Sequence, residues 1–191
     1  RVYGEAEAVL AGDALLTDAF AVLLRSKYPR KIKSGLLLKA AGIMALRAGA
    51  RGMVSGQAAD LDAEGFLDRK VSRRSTGLSL LSYIHQHKTA DLICAAVEMG
   101  AVLGGAREKD FKALSNFGRD IGLCFQVADD ILDSCGDKVR LGKNSSDARN
   151  RKLTYATLLG ADEADRRGAA LMRSALAHLA KAGGSPAAKA R

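Results

Sequence analysis

Hydrophobic residues recur at a helical spacing in every segment of the chain that has a clear period, and no stretch alternates convincingly at period two. The pattern predicts an all-α protein with helices over these ranges: 5–27, 35–48, 53–61, 78–103, 109–135, 153–159 and 162–182. The long helices are apolar around most of their circumference, so other helices must enclose them. We therefore expect a large helical bundle around a central cavity.

Residues that start or stop helices mark the ends of these segments. Pro29 is a helix stop, Ser34 is a suitable N-cap, and Gly104 ends the long apolar helix. Residues 63–76 and 137–151 are polar and are predicted loops, and the C-terminal end is expected to fray. With 191 residues, the chain (1–191) is long enough for a single helical domain.

Composition excludes several classes of protein. Aromatic residues make up 5% of the chain and tryptophan is absent, which argues against a base-stacking nucleic-acid site. The three cysteines, Cys94, Cys124 and Cys135, have no motif spacing and are expected to be reduced thiols of a cytoplasmic protein. No uninterrupted apolar 18-mer is present, so no membrane span is predicted.

The chain is strongly basic, with a formal net charge of +9. Such a charge suggests an anionic partner. The basic groups at 25–33 and 69–74 lie in predicted loops, where a solvated surface explains them. No zinc-ligand spacing or recognition-helix motif supports nucleic-acid binding.

Three aspartates interrupt the apolar helix within residues 118–143, GRDIGLCFQVADDILDSCGDKVRLGK. Asp129, Asp130 and Asp133 fall within one helical turn, with Asp129 directly over Asp133. Their carboxylates repel one another unless protons or cations neutralise them. A motif with oxygen ligands and no histidine or cysteine favours Mg²⁺ over zinc. A solvated acidic patch is the alternative for such a motif on its own.

Polar residues elsewhere weaken that alternative. The segment HQHKT places Lys88 inside the preceding long helix, where an unpaired ammonium is costly. A lysine that faces metal-loaded carboxylates is explained if a polyphosphate lies between them. His85 and His87 are two residues apart and cannot face one cation together on an α-helix, so neither is assigned as a ligand.

Five stretches of the chain together resemble the trans-isoprenyl diphosphate synthases, the polyprenyl synthetase family, most closely the bacterial farnesyl and geranylgeranyl diphosphate synthases. In the family's order they are YGEAEAVLAGDALLTDAF, RGMVSGQAADL, IHQHKTADLICAAVEMGAVLGG, GRDIGLCFQVADDILD and LGKNSSDARNRKLTYATLLG. They cover nearly the whole chain. One DDxxD motif alone is weak, but five stretches in this order are specific to the family.

The resemblance implies a helical enzyme, usually a homodimer, that joins isopentenyl diphosphate to an allylic diphosphate. In the family, about three Mg²⁺ ions per active site, held by two aspartate-rich motifs, draw pyrophosphate off the allylic substrate. The carbocation alkylates isopentenyl diphosphate and a proton is lost. Nucleic acid and membrane are not expected partners.

The resemblance also implies roles for particular residues. The second aspartate-rich motif and the loop after it imply these metal-site residues: Asp129, Asp130, Asp133 and Asp147. The groups implied to contact substrate or the reacting carbons are Lys88, Thr89, Phe125, Gln126, Lys143 and Lys152. Gln57 and Asp60 match a further motif, for which a structural role is at least as well supported.

The chain departs from the family pattern at its start. The first aspartate-rich motif lies upstream of Tyr3 in the family and is absent from residues 1–191. We therefore expect the C-terminal two-thirds of a longer enzyme, inactive on its own because one acidic motif cannot hold the whole metal cluster. Product length cannot be predicted, since it depends on residues near the missing motif.

Three other functions remain open. A non-catalytic regulatory subunit of a prenyl synthase would also lack the first motif. A terpene cyclase shares the helical fold, but Lys88, Thr89 and Lys143 argue against it. A basic nucleic-acid-binding protein has the least support. We expect a cytoplasmic prenyltransferase that makes a short-chain product such as farnesyl or geranylgeranyl diphosphate.

Overall fold

Helices make up most of the residues that the computed structural model describes, which are 2–25, 32–64, 66, 74–135 and 153–183. In chain order they are α1 (Glu5–Arg25), α2 (Ser34–Ala48), α3 (Met53–Asp62), α4 (Arg74–Ile84), a π-helix (His85–Ala90), α5 (Asp91–Leu103), α6 (Glu108–Cys135), α7 (Tyr155–Leu159) and α8 (Ala161–Lys181). No strand occurs among these residues. The prediction of an all-α fold is confirmed.

Most predicted helix bounds lie close to the observed ones, with three differences. Ser34 is the first residue of α2 and not its N-cap, because Lys33 is the residue with extended backbone angles there. The loop predicted to end at residue 76 is wrong at its end, since α4 begins at Arg74. The predicted helix 78–103 is interrupted by the π-helix. The stop at Pro29 and the loop 137–151 lie outside the described residues.

Glycines allow two helices, α3 and α6, to approach the π-helix closely. A Cβ atom on Gly56 of α3 would lie 2.1 Å from the Lys88 backbone nitrogen, and one on Gly122 of α6 would lie 2.6 Å from Ala90 Cα. Neither gap accommodates a side chain without moving a backbone. The π-helix is therefore held between α3 and α6, and it is the point at which these two helices meet α4 and α5.

Two apolar clusters form the core of the described part. The first surrounds the C-terminal half of α6, where Val127 packs with Ile84 and Leu81. The second joins α1 and α2 through Leu23 and Met44. The first cluster lies immediately beside the polar residues of α6 and the π-helix, so it excludes water from one side of them.

The cysteines of the described part are free thiols. Cys94 is buried and Cys124 is half-buried, and neither forms a disulfide. Burial, followed by the negative charge of Glu98, raises the pKa of the Cys94 thiol to about 11. The side chain of Cys135 lies outside the described part.

Candidate active site

A chain of hydrogen bonds links the π-helix to α6 at the residues that the sequence singles out. Thr89 Oγ1 donates to Gln126 Oε1 at 2.6 Å, and Gln126 Nε2 donates to Asp130 Oδ1 at 3.3 Å. The Gln126 amide is thereby held at both its oxygen and its nitrogen. The structure brings together Thr89, Gln126 and Asp130, which the sequence-based hypothesis places at one site.

Both carboxylate oxygens of Asp130 contact other groups of the protein. Its other oxygen, Oδ2, accepts from the Tyr155 backbone N–H at 3.3 Å and lies 3.3 Å from His85 Nε2. The residue is 1% exposed. This setting differs from the expectation that Asp130 binds a metal ion, because a buried carboxylate with both oxygens engaged has little capacity left for a cation.

His85 completes the anchor of Asp130. Its side chain is buried, and its ring meets that of Tyr155 edge-on with centroids 5.1 Å apart. Its Nδ1 atom has no hydrogen-bond partner within the described part of the chain. A proton on Nε2 fits this arrangement, because Nε2 faces the Asp130 carboxylate whereas an N–H at Nδ1 would be buried without an acceptor.

Asp129 differs from Asp130 although the two are adjacent. One residue corresponds to a rotation of about 100° around a helix. Asp129 is half-buried, and its carboxylate has no hydrogen-bond or ion-pair partner in the described ranges. Of the two motif acids whose side chains are described, Asp129 is therefore the one that remains available for a cation.

The other expected metal and phosphate residues cannot be compared with Asp129. Asp133 follows it by one turn along the backbone of α6, but the side chain of Asp133 lies outside the described part, as do residues Lys143, Asp147 and Lys152. Among the residues that are described, no group of three or more metal-ligating side chains occurs. The oxygen ligands and half-burial of Asp129 fit Mg²⁺. The roles assigned to Asp133, Lys143, Asp147 and Lys152 remain predictions.

Lys88 has an acidic partner that the sequence did not identify. Its Nζ atom forms an ion pair with Asp60 Oδ2 of α3, and both side chains are partly buried. Lys88 is therefore not a solvent-exposed lysine of a helix surface, because its side chain is 29% exposed and paired. Gln57 of the same motif is exposed.

Phe125 precedes Gln126 on α6 and is 60% exposed. A large aromatic side chain with this exposure is available to contact a ligand or another part of the protein. The exposure of Phe125 is compatible with its expected contact with isopentenyl diphosphate, and that contact stays a prediction.

Sequence analysis missed a charged network on the other side of the π-helix. Arg47 of α2 contacts Asp91 through Nη1 at 2.5 Å and Glu98 through Nη2 at 2.7 Å. Burial lowers the pKa of Arg47, but hydrogen bonds to Glu98 and Asp91 more than offset it and hold the pKa above its usual value. The available signal was the seven-residue spacing of two acids along one face of an apolar helix.

The helices and the site define a protein with the isoprenoid synthase fold. A geranyltransferase of Helicobacter pylori, solved with magnesium and isoprenyl diphosphate, superimposes with a TM-score of 0.74 and 35% identity, over 93% of this chain and 55% of that one. A geranylgeranyl pyrophosphate synthetase of Pyrococcus horikoshii superimposes with a TM-score of 0.76 at 24% identity, over 98% and 64%, which supports the fold.

The family model described as Polyprenyl synthetase matches residues 1–185, and the chain belongs to that family. Farnesyl diphosphate synthase of Geobacillus stearothermophilus is 40% identical over 183 residues, which are 95% of this chain and 59% of that protein. Geranylgeranyl pyrophosphate synthase 4 of Arabidopsis thaliana is 39% identical over 180 residues, 94% and 46%. The chain thus spans about half the length of the curated relatives it matches.

The helices of the described part include none with the length and apolar character needed to cross a bilayer.

Proposed function

We propose that the protein containing this chain is a Mg²⁺-dependent prenyltransferase that joins isopentenyl diphosphate to an allylic diphosphate, giving a short-chain product such as farnesyl or geranylgeranyl diphosphate. The hydrogen-bonded chain from Thr89 through Gln126 to Asp130, with Asp129 free beside it, carries the proposal. Membership of the family and relatives named as farnesyl and geranylgeranyl synthases support it.

In this proposal, Lys88 and Thr89 of the π-helix bind the allylic diphosphate. Lys88 supplies positive charge where negative charge accumulates on the departing pyrophosphate. Asp60 holds its ammonium in place before substrate binds. The Thr89 hydroxyl is oriented by its bond to Gln126, so neither side chain must be reorganised from random rotamers during the reaction.

Gln126 acts as a fixed amide dipole beside the reacting carbons. Its orientation is set at one end by Thr89 and at the other by Asp130. The buried side chains of Val127 and Ile84 lie in the adjacent apolar cluster and keep water from this side of the site. Exclusion of water protects a carbocation from premature hydrolysis.

The metal-binding role falls on three acids in this proposal: Asp129, Asp133 and Asp147. When bound, Mg²⁺ neutralises charge on the pyrophosphate and orients it for departure. Lys143 and Lys152 contact phosphate. Asp130 anchors α6 to the π-helix and to the start of α7, a departure from the ligand role that the sequence alone implies.

Turnover of the intact protein tests the proposal. The protein is incubated with Mg²⁺, labelled isopentenyl diphosphate and allylic primers of increasing length, and the products are separated by chain length. We expect product from the wild type and a loss of about 100-fold or more in Asp129→Asn. Asp162→Asn removes an exposed acid from the first turn of α8 and serves as the control. Absence of product with every primer contradicts the proposal. Activation of a separate synthase by the inactive protein would instead identify a regulatory subunit.

We also propose a homodimer that uses α1. This helix buries only Leu23 among its described residues, and several large apolar side chains on it are exposed: Val9, Leu10, Leu15, Leu16, Val22 and Leu24. An apolar surface of this extent is typical of an interface. Light scattering of the intact protein is expected to give a dimer that Leu15→Glu weakens, whereas Leu176→Glu on α8 does not. A monomeric wild type contradicts the proposal.

A further inference from the structure

The carboxylate of Asp91 gathers three side chains around the end of the π-helix. Oδ1 accepts from Arg47 Nη1 at 2.5 Å and from Gln86 Nε2 at 3.3 Å. Oδ2 lies 2.7 Å from His87 Nδ1. Gln86 and His87 belong to the π-helix, and Asp91 is the first residue after it. The carboxylate therefore spans the π-helix from its second residue to its end.

This contact matters because a π-helix is a rare element that its surroundings must hold. A π-turn is rare, and it commonly occurs at a functional site inside an otherwise α-helical segment. The backbone of residues 85–90 decides the directions of Lys88 toward Asp60 and of Thr89 toward Gln126. If the turn relaxed to an α-helix, both side chains would rotate away from those partners.

Arg47 makes the buried charges of Asp91 and Glu98 tolerable. Asp91 is 3% exposed and Glu98 is 5% exposed, so both carboxylates need a cationic partner. Arg47 serves both. Glu98 also accepts from Ser115 Oγ at 2.6 Å and from Cys94 Sγ at 3.4 Å. Glu98 thus shares the helix, the burial and the arginine of Asp91, but its hydrogen bonds go to α2, α5 and α6 and not to the π-helix.

We infer that Asp91 is a positioning residue for prenyl transfer, because its hold on Gln86 and His87 fixes the π-turn that presents Lys88 and Thr89 to the allylic diphosphate. The inference rests on the proposed function for the substrate and goes beyond it in assigning a role to a residue that does not touch substrate. We call the contacts of Asp91 with Gln86 and His87 the clasp, and Arg47 is its counterion.

The test compares Asp91→Asn with Glu98→Gln in the intact protein. Each change removes one buried negative charge from Arg47, so we expect similar falls in melting temperature. Asp91→Asn is expected to raise the KM for the allylic diphosphate about 10-fold or more, with the KM for isopentenyl diphosphate nearly unchanged. Glu98→Gln is expected to keep both KM values within about 2-fold of the wild type. Equal kinetic losses in the two variants, or no change in the allylic KM, overturn the inference.

A second pair of variants covers the case in which Asp91→Asn does not fold. His87→Ala removes one donor of the clasp from a partly exposed position, and His87→Asn keeps a nitrogen donor at a similar place. We expect His87→Ala to raise the allylic KM and His87→Asn to restore it. Failure of the restoration, or an unchanged KM in His87→Ala, contradicts the clasp.

Failure of the proposed function is recognised separately. If the wild type makes no prenyl product, Mg²⁺-dependent binding of inorganic pyrophosphate is measured by calorimetry in the same variants. Weaker binding in Asp91→Asn than in Glu98→Gln then supports the clasp without the reaction, and equal binding, or none in the wild type, overturns it.

Discussion

Replacing Asp130 with alanine is expected to lower the free energy of unfolding. The same replacement at Asp129 is expected to leave that free energy nearly unchanged. Three donors face the Asp130 carboxylate at 3.3 Å: Gln126 Nε2, the Tyr155 backbone N–H and His85 Nε2. Alanine at this position leaves all of them without their acceptor in a buried place.

The size of the effect follows from the number and quality of these contacts. An unsatisfied buried donor costs about 1–3 kcal/mol. The distances of 3.3 Å are long, and water can enter the space vacated by the carboxylate, so the lower end applies to each donor. We expect a loss of about 3 kcal/mol in the free energy of unfolding for Asp130→Ala. Asp129→Ala removes a half-buried carboxylate without a described partner, and its effect is expected within about 0.5 kcal/mol.

Urea unfolding followed by circular dichroism measures both values on the same protein. Binding is compared through the rise in melting temperature on addition of Mg²⁺ and pyrophosphate. Asp129→Ala is expected to abolish this rise at unchanged stability, while Asp130→Asn, which keeps one acceptor oxygen, is expected to retain most of it. Equal stability losses at the two positions would refute the anchoring role of Asp130. So would an Asp130→Asn variant that is as stable as the wild type yet binds no Mg²⁺.

Three further changes probe the rest of the described site. Asp60→Asn removes the negative charge that pairs with Lys88, and it is expected to raise the KM for the allylic diphosphate because the ammonium is held less firmly in place; an unchanged KM contradicts this. Gly56→Ala places a Cβ atom 2.1 Å from the Lys88 backbone nitrogen, and it is expected to cost about 2 kcal/mol in urea unfolding; wild-type stability would show that α3 shifts freely. The Cys94 thiol has a pKa raised to about 11, so the reactive thiolate is scarce at neutral pH and increases as pH rises toward that value; alkylation followed by mass spectrometry at pH 8 is expected to be slow in the folded protein and fast in urea, and rapid labelling of the folded protein contradicts this.

The helices were predictable from sequence because their periodicity is a local property. Apolar residues at helical spacing marked α5 and α6, and Gly104 marked the end of α5, as the structure confirms. The π-helix was not predictable in the same way. Apolar residues continue on both sides of it, and one extra residue changes the hydrophobic period too little to be distinguished from an α-helix.

The partners of the polar residues depended on tertiary contacts that no local pattern contains. Lys88 meets Asp60, which lies 28 residues earlier, and Asp130 meets the backbone of Tyr155, which lies 25 residues later. The spacing of four between His87 and Asp91 was readable as a helical pair. The contact from Gln86 to Asp91 spans five residues and is explained only by the π-turn.

The π-turn also sets the rotational phase between α4 and α5. The π-turn holds one residue more than the α-turn it replaces, so deletion of a single codon within residues 85–90 is absorbed when the turn becomes an α-helix. Cys94 and Glu98 then keep the faces where they meet α6 and α2. The same deletion within α4 or at the start of α5 instead rotates the residues that follow it by about 100°. A library of one-residue deletions scanned along helices α4 and α5 should therefore retain the most folded protein within residues 85–90 and lose it on either side.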